Sequence, residues 1–264
     1  MNKTPSSFRF FKVHIKEIDD VIRGIPRGGV FTIMYDELSL GWALAFEILK
    51  NLINENCFGV IHNYLLPAQK LESRATFVGL NIRKEAEADN LRIIDIFGSR
   101  YNIPPYENYI YQISSPSAET LNPKIMEIYR KQIFPIAGSR PIIRVIYTLD
   151  AITTLFEEKP TLKLLNSDLA ELARLYHEYN IITILLLNKE LVSKHFVGWV
   201  LSLSDVVISF KFYEKESKEK MTIIKAMNPE FEPAAYEYTI RRLSPTTSVH
   251  ALNFKKINSN NGNN

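Results

Sequence analysis

Short apolar runs alternate with helical periodicity along most of this chain, and this alternation limits the possible folds more than any other feature. Runs rich in Ile and Val are typical of strands buried on both faces of a parallel sheet. Strands that alternate with helices indicate βαβ units. Strands are predicted at 29–35, 57–64, 91–97, 107–113, 142–149, 181–187, 205–212, 220–227 and 235–242. Helices are predicted at 41–55, 67–78, 119–134, 150–157, 166–179 and 192–203.

The pattern changes after about residue 190, where strands follow one another directly. Residues 214–220 alternate in charge between two strand-like runs, so we interpret them as the solvated tip of an antiparallel hairpin. The fold class is therefore α/β: a doubly wound, mostly parallel sheet with helices on both faces and a C-terminal antiparallel hairpin. We expect residues 1–250 to form a single domain and residues 251–264 to form a disordered polar tail.

Composition is that of an ordinary globular protein, with 46% hydrophobic and 23% charged residues among 264. The net charge of +3 permits contact with nucleic acid but does not argue for it. A single cysteine, Cys57, excludes an intrachain disulfide and a multi-cysteine zinc site. No apolar run reaches the roughly 18 residues of a membrane span, and residues 1–11 lack the order of a signal peptide. We expect a cytoplasmic protein that does not enter a membrane.

Residues 30–49 read as a strand, a loop and a helix, which is how nucleotide-binding chains present a phosphate loop. The working pattern is G-x-x-x-x-G-K-[S/T]: its glycines bring N–H groups onto phosphate oxygens, and its Lys and Ser/Thr bind phosphate and Mg²⁺. Aligned without a gap, the pattern places Tyr35 and Leu40 on the glycines, Gly41 on the Lys and Trp42 on the Ser/Thr. All four defining positions differ, so we expect the phosphate-binding chemistry to be lost.

The same loop carries negative charge. Asp36 and Glu37 would repel a triphosphate, and we predict that they cap the helix that starts near Gly41. Ser39 lies between two leucines, Leu38 and Leu40, without the Gly-x-Ser-x-Gly context of a nucleophile. The helix N-terminus still offers N–H groups for weak anion binding. We expect Trp42 to pack into the sheet or into the space that phosphate would fill.

Six segments, in order and in register, resemble the RecA-like ATPases of the KaiC/RadA group. Residues 18–29 (IDDVIRGIPRGG) are similar to the lead into the phosphate-loop strand, and residues 144–155 (RVIYTLDAITTL) are similar to the second nucleotide motif. The other matching segments are 65–81, 91–95, 203–208 and 223–227. The resemblance extends from about residue 15 to residue 243 and implies a RecA-like fold.

The differences from this family fall on its catalytic positions. The resemblance places Leu65 and Leu66 on the Glu pair that polarises water, and leucine cannot accept a proton. Lys225 matches the Lys of a pair that reaches a neighbouring subunit's phosphates, but Met227 replaces the Arg of that pair. Asp150 matches the residue that orients Mg²⁺, and we interpret it instead as a cap for the helix at 151. The vestigial nucleotide site would thus comprise Tyr35, Asp36, Glu37, Leu38, Ser39, Leu40, Gly41, Trp42 and Asp150.

The functional prediction is a non-catalytic pseudo-ATPase that acts by protein contact or self-association, within an assembly of RecA-like subunits. We expect no catalytic residue, cofactor or metal, and the five histidines lack metal-ligand spacing. One alternative is an atypical ATPase that binds ATP and Mg²⁺ through the altered loop, using Asp150 and Lys225. Another is an accessory nucleic-acid-binding factor in recombination or repair, although no local motif supports nucleic acid.

Overall fold

The computed structural model describes residues 10–243 and 249–257. Its strands are β1 (Phe10–Phe11), β2 (Ile25–Pro26), β3 (Val30–Tyr35), β4 (Phe58–Asn63), β5 (Leu91–Asp95), β6 (Ile110–Tyr111), β7 (Ile142–Tyr147), β8 (Ile181–Asn188), β9 (Val206–Tyr213), β10 (Lys218–Lys225), β11 (Ala234–Arg242) and β12 (His250–Lys256). Its helices are α1 (Lys16–Ile22), α2 (Trp42–Asn54), α3 (Ala68–Phe77), α4 (Ile82–Glu87), α5 (Ile96–Tyr101), α6 (Leu121–Ile128), α7 (Phe134–Ala137), α8 (Leu149–Phe156), α9 (Glu158–Leu175) and α10 (Lys194–Leu203).

Ten strands form the central sheet, in the order β12-β11-β10-β9-β3-β8-β7-β4-β5-β6. The pairings from β9 through β6 are parallel, whereas β10, β11 and β12 are added antiparallel to one edge. The predicted fold class is therefore confirmed, including the C-terminal hairpin formed by β9 and β10. The carboxyl ends of β3, β4, β7 and β8 lie at one edge of the sheet, where the loops that follow them can form a site.

The central strands form because their side chains are apolar on both faces. Every residue of β3, β4, β7 and β8 is buried, as the continuous Ile/Val/Leu runs predict. Helices α1 to α4 cover one face of the sheet. Helices α6 to α10 cover the other face. Within the described part of the chain, no helix has both the length and the apolar character needed to cross a membrane.

Helices shorter than two turns were missed by the sequence pattern. Helices α1, α4 and α5 have six or seven residues each, too few to repeat an apolar face. The helix predicted at 119–134 is instead α6, a π-helical turn at Tyr129–Ile133 and α7. The strand predicted at 107–113 shortens to the two residues of β6 at the edge of the sheet.

The prediction of a disordered tail from residue 251 is wrong for its first six residues, which belong to β12. This strand pairs with β11 from Tyr236↔Lys256 to Arg242↔His250. Leu252 and Phe254 pack against the core. Their spacing of two residues is the alternation of a strand, and it directly precedes the Asn-rich run. Residues 258–264, the polar end of the predicted tail, lie outside the described residues.

Candidate functional site

The loop at residues 36–41 connects β3 to α2 at the carboxyl edge of the parallel strands. Gly41 is the N-cap residue of α2 and has no side chain to accept a hydrogen bond from the first helical turn. A helix N-terminus has free N–H groups and a positive dipole end, so it attracts an anion. The loop therefore keeps the location and polarity of an anion site, although it lacks the phosphate-loop residues.

A carboxylate of the protein itself occupies this position. Oε1 of Glu219, from β10, accepts hydrogen bonds from the N–H of Leu40 at 3.1 Å and from the hydroxyl of Ser39. Its Oε2 lies 3.4 Å from the same N–H. The Ser39 hydroxyl in turn accepts from the N–H of Gly41 at 2.9 Å. Glu219 and Ser39 together therefore accept from the N–H groups of Leu40 and Gly41, two donors that the loop would offer to a bound anion.

Burial and hydrogen bonding act in opposite directions on the ionisation of Glu219. It is only 8% exposed, and burial raises the pKa of its carboxyl to about 7. The hydrogen bonds from Ser39 and Leu40 act in the opposite direction because they stabilise the carboxylate, whereas the nearby charge of Asp36 raises the pKa further. The loop is thus closed by a carboxyl group that burial, more than any other influence, makes reluctant to ionise.

Glu219 is absent from the candidate site residues that the sequence predicts. The prediction of a solvated hairpin tip at residues 214–220 is wrong for Glu219, which is buried. The signal was available in the alternation of β10, because Glu219 is on the same face as the buried Met221 and Ile223. An acidic residue at an inward-facing position of a strand indicates a specific partner. That partner is the loop.

Asp36 does not cap α2 as predicted. Its Oδ2 accepts a hydrogen bond from the N–H of Phe212 at 2.8 Å, which ties the loop to the end of β9. Its Oδ1 is buried without a hydrogen-bond partner among the described residues. Lys189 lies close by and donates to the carbonyl of Phe210 at 3.0 Å. Burial lowers the pKa of Lys189, and the charge of Asp36 partly offsets this.

The outer side of the loop is apolar. Leu38 is 57% exposed and Leu40 is 39% exposed. Leu191, in the loop after β8, is 58% exposed, and we call these three leucines the loop patch. Glu37 does not cap α2 either: its N–H donates to Oε2 of Glu190 at 3.2 Å. The loop patch is therefore bordered by acidic side chains.

Gly41 cannot be exchanged for the lysine of a working phosphate loop without rearrangement. A Cβ at this position would lie 2.6 Å from two ring carbons of Phe210, well inside van der Waals contact. Phe210 is fully buried on β9 and stacks edge-on against Tyr238 at 4.9 Å between ring centroids. The Phe210 ring therefore packs directly against the backbone of Gly41 and leaves no space for a side chain there.

Trp42 packs inward between α2 and α3. Its ring makes an edge contact with Phe46, at 6.1 Å between centroids, and a tilted contact with Phe77 at 5.8 Å. The guanidinium of Arg74 lies 4.9 Å over the Trp42 ring and donates to the hydroxyl of Tyr147 at 2.5 Å. The indole is thus part of an aromatic cluster at the start of α2. A phosphate loop would have a metal-binding hydroxyl at the same position.

The positions matched to the catalytic Glu pair are structural. Leu65 and Leu66 follow β4 and are half-buried against the core. The side-chain amide of Asn63 donates to the carbonyl of Leu66 at 2.6 Å and to Oδ1 of Asp95 at 2.8 Å. Asp95 also caps α5 by accepting from the N–H of Gly98 at 3.0 Å. These bonds fix the turn after β4 without placing a proton acceptor at residues 65 and 66.

Asp150 is not the cap of α8, because Thr148 has that role and accepts from the N–H of Ala151 at 3.4 Å. Oδ1 of Asp150 instead accepts from the N–H of Asn188 at 2.9 Å, which joins α8 to the end of β8. Burial raises the pKa of the Asp150 carboxyl. Among the residues that the structure describes, no group of three or more His, Cys, Asp or Glu side chains could hold a metal ion.

Lys225 is distant from the loop. It pairs with Val207 near the start of β9, whereas residues 36–41 follow the carboxyl end of β3, at the opposite end of the parallel strands. Its ammonium group donates to the carbonyl of Leu201 at 2.9 Å, near the C-terminus of α10, where a cation is favourable. Met227, at the position of the family's Arg, is 56% exposed. Within this chain, Lys225 and the loop do not form one site.

The structure is thus a mostly parallel α/β sheet in which the Glu219 carboxyl bonds to the loop between β3 and α2. No protein-family model and no curated protein sequence matches this chain. Uncharacterized protein PH0321 of Pyrococcus horikoshii, crystallised in complex with an unknown peptide, is similar with a TM-score of 0.75 and 20% identity, covering 93% of this chain and 99% of that one.

A second solved structure of similar fold is a KaiC-like protein. KaiC-like protein PH0186 of the hyperthermophilic archaeon Pyrococcus horikoshii OT3 is similar with a TM-score of 0.65 and 18% identity. The match covers 88% of this chain and 95% of that one. At such identities the likeness establishes the fold alone. The chain therefore has a KaiC-like, RecA-type fold, as the resemblance implied.

Proposed function

We propose that this protein is a non-catalytic KaiC-like pseudo-ATPase that works through protein contact. The observation that carries the proposal is the Glu219 carboxylate, which accepts hydrogen bonds from Leu40 and Ser39 in the loop where phosphate would bind. A triphosphate would have to displace this carboxylate from a buried position. It would also meet Asp36 and Glu37, and it would gain no contact from a loop lysine.

The altered-loop ATPase is less well supported. Asp150 is engaged with the N–H of Asn188, and Lys225 is at the far edge of the sheet, bound to the carbonyl of Leu201. Leu65 and Leu66 offer no group that could activate water. The residues that this alternative requires are therefore separated from the loop or occupied by other contacts.

Protein contact is favoured by the loop patch. The three exposed leucines lie on two loops that the hydrogen bond from Glu37 to Glu190 joins, and exposed apolar patches mark interaction sites. The structural neighbour PH0321 was crystallised with an unknown peptide, which shows peptide binding in a protein of the same fold. We propose that the loop patch contacts another protein subunit, either a second copy of this chain or another RecA-like protein.

Replacing Leu38 and Leu191 with Glu is expected to abolish self-association, because it puts two charges into an apolar contact. Analytical ultracentrifugation of the wild type should show a sedimentation coefficient that rises with protein concentration, whereas the double variant should stay monomeric. The control replaces Tyr101 and Leu243, two exposed apolar residues outside the loop patch, with Glu. A wild type that is monomeric throughout, or a control that dissociates equally, would count against self-association through the loop patch.

A further inference from the structure

One face of the antiparallel strands β9 to β12 is not covered by a helix. Alternate residues of these strands, such as Phe210, Met221, Tyr236 and Phe254, belong to the core on the side of α2. Among the residues between them, Val207 is buried in the core on the side of α10, whereas those from Ser209 onward along β9 and on β10 to β12 are exposed or half-exposed. Helix α10 reaches this second face only at Val207 and Lys225, and no later helix follows in the described residues, which end at 257.

The uncovered face is basic. Its charged side chains are Lys211, Lys218, Lys220, Glu237, Arg241 and Lys255, and we call this set the basic face. Five cations and one carboxylate give the basic face a formal charge of +4. Cations therefore predominate among its outward-pointing charged side chains. Glu214, Glu216 and Glu232 flank the face, in the hairpin turn and in the groove beside Lys220.

The charges lie in register across the strands. Lys220 is directly opposite Lys211 on one side and Glu237 on the other, and Glu237 is opposite Lys255. Directly opposed like charges in an antiparallel pair destabilise the sheet. Glu237 forms its ion pair with Lys218 at 3.3 Å. Within the described residues, Lys211, Lys220 and Lys255 form no ion pair, and the single carboxylate of the row, Glu237, is opposite two of them. The row therefore keeps more cations than carboxylates.

We propose that the basic face binds the phosphodiester backbone of nucleic acid without reading its sequence. The positions between the cations carry hydroxyl and amide groups, which commonly contact phosphate together with Lys and Arg. They are Ser209, Thr222, Thr239 and Asn253. A protein partner is a poorer fit, because the centres of protein–protein interfaces are depleted in Lys and enriched in apolar and aromatic residues. Tyr213, beside Lys211 at 5.2 Å, supplies an exposed ring at the margin.

This proposal is independent of the loop patch. The basic face consists of outward-pointing side chains of β9 to β12, whereas Glu219 and Leu40 lie on the other side of β10. Loss of one function would therefore leave the other intact. The two proposals can fail separately.

The test is fluorescence anisotropy with a labelled strand of about 30 thymidines and a duplex of similar length, from about 50 to 200 mM salt. We expect binding that weakens as salt rises. Replacing Lys211 and Lys220 with Gln should weaken binding about tenfold and make the salt slope shallower by about 1.4 for the single strand, or about 0.7 per lost phosphate contact. The control replaces Lys159 and Lys163, exposed on α9, with Gln and changes the net charge equally.

Three results would overturn the proposal. The first is that neither probe binds at low salt. The second is that the α9 control weakens binding as much as the Lys211 and Lys220 variant. The third is that labelled polyglutamate binds as tightly as the oligonucleotides. The last result would assign the face to acidic polypeptides instead. Circular dichroism and thermal unfolding should show that both variants fold like the wild type, since all four side chains are at least half-exposed and form no ion pair with another described residue.

Discussion

Truncation of Asp168 to Ala is expected to destabilise the protein by about 3–5 kcal/mol, because it leaves a buried guanidinium without its partner. Arg144 lies on the central strand β7 and is only 2% exposed. Its two terminal nitrogens donate to the two carboxylate oxygens of Asp168, on α9, at 2.7 and 2.6 Å. Thr183 of β8 accepts a third bond at 3.0 Å. Urea unfolding of the wild type and the variant measures the difference.

The control for this prediction replaces both partners, with Arg144→Met and Asp168→Leu. Paired apolar replacements of a buried ion pair are commonly neutral or stabilising, so the double variant should recover most of the lost stability. A loss below about 1 kcal/mol for Asp168→Ala would show that Arg144 reaches water on its own. A double variant as unstable as the single one would mean that the side chains matter for packing rather than for charge.

Trp42→Ala is expected to lower the free energy of unfolding by about 3 kcal/mol, the low end of the range for a large aromatic side chain, since Trp42 is half-buried. The variant loses the ring contacts with Phe46 and Phe77 and the stacking of Arg74. Denaturant unfolding followed by far-ultraviolet circular dichroism is the measurement, because removal of Trp42 also changes the tryptophan fluorescence.

Trp42→Phe is the matched variant. A phenyl ring can still contact Phe46 and Phe77, so this variant should lose less than half as much stability. Equal losses for Ala and Phe would contradict the aromatic cluster as the source of the effect. A loss below about 1 kcal/mol for Trp42→Ala would mean that the ring is exposed in solution, and a contact with a partner would then explain it better.

The sheet was predictable from sequence because its signal is local. The runs that became β3, β4, β7 and β8 are continuous in apolar residues, and burial on both faces requires this. The sequence analysis does not predict strand β12, because its alternating pattern is short, with Leu252 and Phe254 followed at once by lysines and the Asn-rich run. Its stability comes from pairing with β11, which is a non-local contact.

The sequence predicts which phosphate-binding residues the candidate site lacks, but not which residues it contains. The phosphate-loop residues are missing, and this can be read from residues 35–42 directly. The group that fills the site could not be read, because Glu219 is about 180 positions away from Ser39 and Leu40 along the chain. Their positions in sequence predict Asp36, Glu37 and Asp150 as helix caps. The Asp36 and Asp150 carboxylates instead accept from the N–H groups of Phe212 and Asn188. The N–H of Glu37 donates to Glu190 in the loop after β8.

The central claim is that protein groups, above all the Glu219 carboxylate, occupy the place of a bound phosphate. The most direct measurement is the melting temperature of the wild type with and without millimolar Mg-ATP, accompanied by calorimetric titration. A ligand stabilises the folded state in proportion to ln(1 + [L]/Kd), so a protein that does not bind ATP should melt at the same temperature and show no heat of binding. A rise of several degrees, with saturable heat, would contradict the account and favour an ATPase with an altered phosphate loop.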